Sequence, residues 1–136
     1  DDLEFIPAKA PDAALVIDGA FQPLGDLLEQ GIARRMAERV AAHAKRENDP
    51  LWRLPLWPPY DSWLDSKTAD INNAPSGGFA GSITCALFLQ RFVTDAKSWL
   101  HVDIYGWTPS AKPGRPEGGE CQAARAIYKL LSERYG

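Results

Sequence analysis

The sequence holds few of the residues that metal sites and nucleophilic active sites need. Its 136 residues include only two cysteines and two histidines. The cysteines, Cys85 and Cys121, lack metal-type spacing, which favours two reduced thiols and leaves a disulfide as an open alternative. The motifs GxSxG, HExxH and GxxxxGK[ST] are all absent. The common signatures of serine hydrolases, helical zinc peptidases and phosphate-binding loops are therefore excluded.

Charge and hydropathy argue against two classes of partner. The chain carries 15 Lys and Arg against 18 Asp and Glu, a net charge of -3, and it shows no basic face of the kind that binds nucleic acid. No apolar run reaches the ~20 residues of a membrane span, and the acidic N-terminus lacks a secretory pattern. We expect a cytoplasmic chain with no nucleic-acid and no membrane partner.

The N-terminal segment, residues 1–25, is the hardest part to interpret. The chain begins at Asp1 and its only methionine is Met36, so we expect a processed or partial chain. Within the segment, a short apolar run at 13–17 is closed by an Asp-Gly turn signal, which favours a strand.

Three helices are predicted from apolar periodicity. Apolar residues recur every four positions over 26–47, which indicates an amphipathic helix. Residues 78–95 predict a second helix that is apolar nearly all round and therefore buried, and residues 118–134 predict a third. The inner face of the third helix is predicted to comprise Ala123, Ala124, Ile127 and Leu131.

Between and after these helices lie a proline-rich stretch and one clear strand. Residues 50–77 are dense in Trp and Pro, so we expect a loop without a long helix, with a short helical turn at 62–64, an irregular part at 72–77, and tryptophans that are covered. Residues 99–105 alternate in polarity and predict a strand. This order suits a layered α/β domain whose sheet lies mostly outside this sequence.

Two groups of polar residues could carry chemistry. His101 and Asp103 share a strand face, about 7 Å apart, and could form a general base or part of a metal site. No third ligand is nearby at useful spacing, so a satisfied polar pair is favoured. Asp65, Lys67 and Asp70 form a weaker acid/base group, for which solvated charges are the favoured interpretation.

The loop before the last helix is a candidate anion site. Lys112 and Arg115 lie beside a helix start, where backbone N–H groups attract anions. The loop fits no phosphate-binding motif, and Glu117 and Glu120 would repel a phosphate. A structural turn is therefore the favoured interpretation.

Three stretches of the chain together resemble one family. They are "DPLWRLPLW" at 49–57, "SKTADINNAPSGGFAGSITCALFLQRFV" at 66–93 and "WLHVDIYGWTPSAKPGRPEGGECQAARAIYKLL" at 99–131. In this order they resemble the C-terminal part of the catalytic domain of leucyl aminopeptidases, also called cytosol aminopeptidases, over about residues 48–136. The resemblance implies a fragment of a three-layer α/β domain with a mixed sheet flanked by helices. Residues 1–25 stay unassigned, and 26–136 form the domain's C-terminal part.

The resemblance also implies an activity, with expectations for particular residues. Family members hydrolyse peptides at a free N-terminus, using two divalent cations, zinc or manganese, in a cytoplasmic homohexamer. The family's Lys/Asp and "NTDAEGR" ligand motifs are absent here, so we assign no metal ligand and no catalytic residue, and we expect the isolated chain to be inactive. Tyr105 and Thr108 match positions that line the pocket for the N-terminal side chain, and Ala74 matches one that lines the next pocket.

The partners implied are a peptide substrate and the remainder of the catalytic domain. The bulk of Tyr105, where many members have a small residue, would narrow or reshape the first pocket. An alternative stays open: a non-enzymatic interaction or assembly module that uses the Trp/Pro-rich stretch.

Overall fold

Helices and short strands alternate along the chain in the computed structural model, which describes residues 14–19, 27–75, 78–94, 96 and 99–136. In chain order the elements are strand β1 (Ala14–Gly19), helix α1 (Leu27–Arg46), strand β2 (Leu51–Pro55), a 3₁₀ helix (Pro58–Leu64), helix α2 (Gly81–Gln90), strands β3 (Trp99–Asp103), β4 (Trp107–Thr108) and β5 (Gly118–Gly119), and helix α3 (Ala124–Tyr135). No helix within the described residues is long and apolar enough to cross a membrane.

A mixed three-stranded sheet has β1 at its centre. Strand β2 runs parallel to β1, with Val16 opposite Arg53, and β3 runs antiparallel on the other side, with Val16 opposite Val102. The parallel pair is connected through α1, as a parallel connection requires a long crossover. The mixed sheet and the strand near 13–17 confirm two expectations from the sequence.

Strand β2 lies where the sequence analysis predicted a loop, and that prediction was wrong. Pro50 precedes the strand and Pro55 is its last residue. At the ends of an edge strand a missing N–H costs little, so these prolines bound the strand rather than prevent it. The 3₁₀ helix that follows extends over seven residues and includes the predicted turn at 62–64.

The core forms where α1 and α3 pack together beside the sheet. It contains Val40 and Ala44 of α1 with Ala126 and Leu130 of α3, and Leu100 and Val102 of β3 pack against it. The apolar spacing predicted for α1 is borne out in the helix's second half, where these positions are buried.

Helix α3 differs from its prediction in both start and register. It begins at Ala124 rather than at 118, because Gly118 and Gly119 pair with β4 instead. Leu130 is 7 % exposed whereas Leu131 is 47 % exposed, so the buried face is shifted from the predicted one. The helix is apolar on two sides, and its packing on α1 determines which side is buried.

Helix α2 and strand β3 are shorter than predicted, and α2 is only half covered. Thr84, Ala86 and Leu87 are buried, but Leu89 on the other side is exposed, as is Phe92 just after the helix. The expectation of a fully buried helix was therefore wrong for the described residues. The tryptophans of the Trp/Pro-rich stretch, Trp52, Trp57 and Trp63, are likewise 40–50 % exposed rather than covered.

Candidate substrate-pocket wall

Tyr105 and Thr108 lie on a short segment that leaves the sheet after β3. The chain turns at Gly106, whose φ of +69° is one that glycine adopts without a steric penalty. It then enters β4, where Trp107 pairs with Gly119 and Thr108 with Gly118. Tyr105 is 59 % exposed, whereas Thr108 is 2 % exposed. We call residues 105–108 the wall segment.

The hydroxyl of Thr108 is held inside the protein. Its Oγ1 donates to Oε2 of Glu120 at 2.6 Å, and Arg115 donates to the other oxygen of the same carboxylate. Of the two wall positions, Tyr105 is exposed to solvent, whereas Thr108 is buried.

Ala74 lies on a separate loop between the 3₁₀ helix and α2. It is exposed, and its N–H donates to Oδ1 of Asn72 at 3.0 Å, a bond that stabilises the local turn. Its neighbours Asn73 and Pro75 line a cavity of about 320 Å³ between this loop and α2. Phe88 and the exposed Cys85 contribute to the far side of the cavity.

Gln122, which the sequence analysis did not identify, contacts the wall segment directly. Its Oε1 accepts the N–H of Gly106 at 3.1 Å, and its side chain is buried. The carbonyl of Gly106 in turn accepts the N–H of Glu120 at 3.0 Å. Both backbone polar groups of Gly106 are thus held by the segment that leads into α3.

Asp49 ties that segment to the end of α1. The buried Asp49 carboxylate accepts the N–H of Ala123 at 3.1 Å and the N–H of Arg125 at 3.2 Å, and it pairs with the Arg125 guanidinium at 3.3 Å. The carboxylate therefore occupies the N-terminus of α3, where the helix dipole favours negative charge.

In the 112–120 loop, where an anion site was the alternative to a structural turn, the side chain of Arg115 is engaged by other parts of the protein. Arg115 donates to the carbonyl of Asn48 at 3.0 Å and to Glu120. Lys112 and Arg115 exchange two backbone hydrogen bonds around Gly114, whose φ is +73°. This is a tight turn with Pro and Gly at its two central positions, as type II turns prefer.

His101 and Asp103 make different contacts, although they share a strand. Ser82 donates its hydroxyl to Asp103, so this carboxylate is engaged. The His101 ring stacks on Trp99, and its buried Nε2 meets no hydrogen-bond partner among the described residues. Burial lowers the pKa of His101 below its ordinary value, and the charge of Asp103 opposes the shift only in part. This geometry does not present the two residues as an acid/base pair.

The members of the weaker acid/base group, Asp65, Lys67 and Asp70, make different contacts. Asp65 and Asp61 both pair with Arg91, at 3.3 and 2.8 Å, and these hydrogen bonds raise the pKa of the guanidinium. Lys67 and Asp70 are exposed. Arg91 thereby joins the 3₁₀ helix to the end of α2.

The described residues do not fit a metal centre. Nowhere in residues 14–19, 27–75, 78–94, 96 and 99–136 do three His, Cys, Asp or Glu side chains come together in a group that could hold a metal ion. The two cysteines are both exposed free thiols. A pair of divalent cations of the kind implied by the resemblance thus has no ligand set in this part of the chain.

Comparison with known proteins places the chain in one family. The model of the cytosol aminopeptidase family, catalytic domain, matches residues 26–128. A probable cytosol aminopeptidase from Chloroherpeton thalassium is 43 % identical over 98 residues, which are 72 % of this chain and 18 % of that protein. Another from Caulobacter vibrioides is 40 % identical over 103 residues, 74 % of this chain and 20 % of that protein.

Solved structures agree with the sequence matches. The cytosol aminopeptidase from Coxiella burnetii superimposes with a TM-score of 0.76 at 37 % identity, over 93 % of this chain and 25 % of that chain. The bottromycin maturation enzyme BotP, in a complex with Mn, superimposes with a TM-score of 0.71 at 25 % identity, over 91 % of this chain and 25 % of that chain. The chain spans about a fifth of the length of the curated relatives it matches. The chain belongs to the cytosol aminopeptidase family, and it matches part of that family's catalytic domain.

Proposed function

We propose that this chain forms the C-terminal part of a two-metal aminopeptidase catalytic domain, residues 26–136, where it builds one wall of the substrate pocket and does not hold the metals. The observation that carries the proposal is the exposed Tyr105 on a segment whose backbone is held on both sides. The lack of a metal ligand group among the described residues supports the assignment of the metals to the remainder of the catalytic domain.

The substrate is a peptide with a free N-terminus and an apolar first side chain. Tyr105 lines the pocket for that side chain together with the buried Thr108, and Ala74 lines the next pocket. A phenol ring fixed at this position narrows the first pocket. The exposure of Tyr105 and of Ala74, on two different loops, supports these roles.

The remainder of the catalytic domain is the main protein partner. It holds the two divalent cations, manganese or zinc, and it covers the exposed side of α2 around Leu89 and Phe92. The complete enzyme works in the cytoplasm as a homohexamer, and the isolated chain has no activity of its own.

A chimera tests the pocket role. In the Caulobacter vibrioides relative, residues 26–136 of this chain would replace the corresponding segment, and hydrolysis of aminoacyl p-nitroanilides would be measured with manganese. We expect turnover of leucine p-nitroanilide. Tyr105→Ala should raise kcat/KM for the phenylalanine substrate relative to the alanine substrate by about 10-fold, because added pocket volume favours larger side chains.

The matched control is Tyr128→Ala, which removes a similarly exposed aromatic ring from α3. It should leave the phenylalanine-to-alanine ratio unchanged. A folded, metal-loaded chimera without turnover would contradict the proposal, and so would a ratio that Tyr105→Ala does not move.

A second candidate function rests on the exposed tryptophans. Trp52, Trp57 and Trp63 offer an aromatic surface that a partner protein could cover, which suits an interaction or assembly module. A folded but inactive chimera, together with a stable monomeric chain in sedimentation, would favour this candidate over the aminopeptidase.

A further inference from the structure

We infer that Gln122 is a positioning residue that fixes Tyr105 in the pocket wall. The inference rests on the proposed function for the role of Tyr105, but its geometry is independent of that function. Gln122 is 5 % exposed, and it lies 16 residues beyond Gly106, to which its Oε1 is bonded at 3.1 Å.

The Gly106 N–H needs a side-chain acceptor because the wall segment has left the sheet and has no neighbouring strand at this residue. Strand β3 ends at Asp103 and β4 begins at Trp107, so Gly106 lies between two ladders. An N–H without an acceptor in such a place destabilises the fold when it is shielded from water. The Gln122 carbonyl supplies the missing acceptor, and the Glu120 N–H completes the bonding of the same residue from the other side.

The acceptor belongs to the rigid part of the molecule. Gln122 directly precedes Ala123, whose N–H is bonded to the buried carboxylate of Asp49. Tyr105 is therefore positioned relative to α1 and α3 rather than by its own loop. The width of the proposed pocket then depends on the helices behind it.

The other end of the Gln122 amide indicates that the bond to Gly106 is what favours a glutamine at this position. Its Nε2 is buried and has no partner among the described residues. An apolar side chain of the same length would avoid that cost, since an unpaired buried donor is unfavourable. The benefit of Gln122 must then come from the bond that its oxygen makes to Gly106.

Apart from the Glu120 N–H, which bonds the Gly106 carbonyl, the other contacts hold a different part of the wall segment. The Thr108–Glu120 bond and the β4–β5 pairs act on residues 107 and 108. Gln122 acts on Gly106, next to Tyr105. Its loss should therefore free Tyr105 while β4 stays paired.

Amide hydrogen exchange of the ¹⁵N-labelled 136-residue chain, measured by NMR, tests the inference. The Gly106 amide should be protected in the unsubstituted chain. Gln122→Met keeps the length but removes the acceptor, and it should speed Gly106 exchange by at least about 10-fold relative to Thr108. Gln122→Glu retains an acceptor oxygen and should preserve the protection of Gly106.

Leu130→Ala is the control for a loss of global stability without a change at the wall segment. It should speed the slowest amides together and leave the ratio of Gly106 to Thr108 exchange unchanged. Free exchange of Gly106 in the unsubstituted chain would overturn the inference, and this holds even if Gln122→Met fails to fold. An equal effect of Gln122→Met on all amides would overturn it as well.

The chimera separates this inference from the proposed function. With an active chimera, Gln122→Met should shift the phenylalanine-to-alanine ratio of kcat/KM in the same direction as Tyr105→Ala, since a mobile Tyr105 no longer narrows the pocket. An active chimera whose ratio is unmoved would overturn the positioning role. An inactive chimera with a protected Gly106 would leave the role of Gln122 standing and remove the aminopeptidase proposal.

Discussion

Asp49 connects more of the molecule than any residue that the sequence analysis selected. In the sequence analysis it appeared only as the first residue of the stretch at 49–57. In the structure its carboxylate joins the end of α1 to the start of α3. The partners are more than 70 residues away, so no local pattern around position 49 could reveal them.

Asp49→Ala should lower the free energy of unfolding by about 2–3 kcal/mol, because it leaves two backbone donors and one guanidinium without their acceptor. Urea unfolding followed by circular dichroism would measure the loss. The control is Asp70→Ala, an exposed carboxylate whose removal should change stability by less than about 0.5 kcal/mol. Equal effects of the two substitutions would contradict the role given to Asp49.

His101 should titrate below its ordinary pKa of 6.5, because burial disfavours the charged ring. A folded-state pKa below the unfolded one means that the stability contribution is complete above pH 6.5 and is lost as the pH falls towards the lowered value. The two histidine ring signals can be followed by NMR from pH 8 to 5, with His101→Gln to assign them. A His101 pKa at or above 6.5 would show that the ring is not desolvated in the way its contacts imply.

At the scale of elements, periodicity predicted the three helices and the buried positions in the second half of α1, but not the buried face of α3. Helix α3 carries apolar side chains on two sides, and the pattern alone favoured the side with Leu131. The contact with Val40 and Ala44 of α1 selects the side with Ala126 and Leu130 instead. Strand β2 was not predicted because its bounding prolines were interpreted as signs of a loop. Proline is unfavourable in a helix but is tolerated at the ends of an edge strand.

Two adjacent leucines test the register of α3. Leu130→Ala should cost about 2–5 kcal/mol, because it leaves a cavity in the core. Leu131→Ala should cost no more than about 0.5 kcal/mol, because this side chain is already half exposed. Urea unfolding of both variants gives the comparison, and a larger cost at Leu131 would restore the face predicted from the sequence.

At the scale of the whole molecule, the long sequence motifs identified the family. The short groups of polar residues in the sequence did not identify a catalytic or metal site. The stretches at 49–57, 66–93 and 99–131 indicated the cytosol aminopeptidases before any fold was known, and the family model confirms it. The roles of Gln122 and Glu120 could not be predicted, since each depends on a contact with the wall segment made only in the folded chain. The exposure of Leu89 and Phe92 was likewise not predicted from the apolar pattern around α2.

The most direct test of the account is the rate of leucine p-nitroanilide hydrolysis by the purified 136-residue chain with added manganese. Circular dichroism would first establish that the chain is folded. The account predicts a rate equal to that of manganese alone, because the proposed function assigns the metal ligands to the remainder of the catalytic domain. Metal-dependent turnover at an enzyme-like rate, retained after extensive purification, would contradict it.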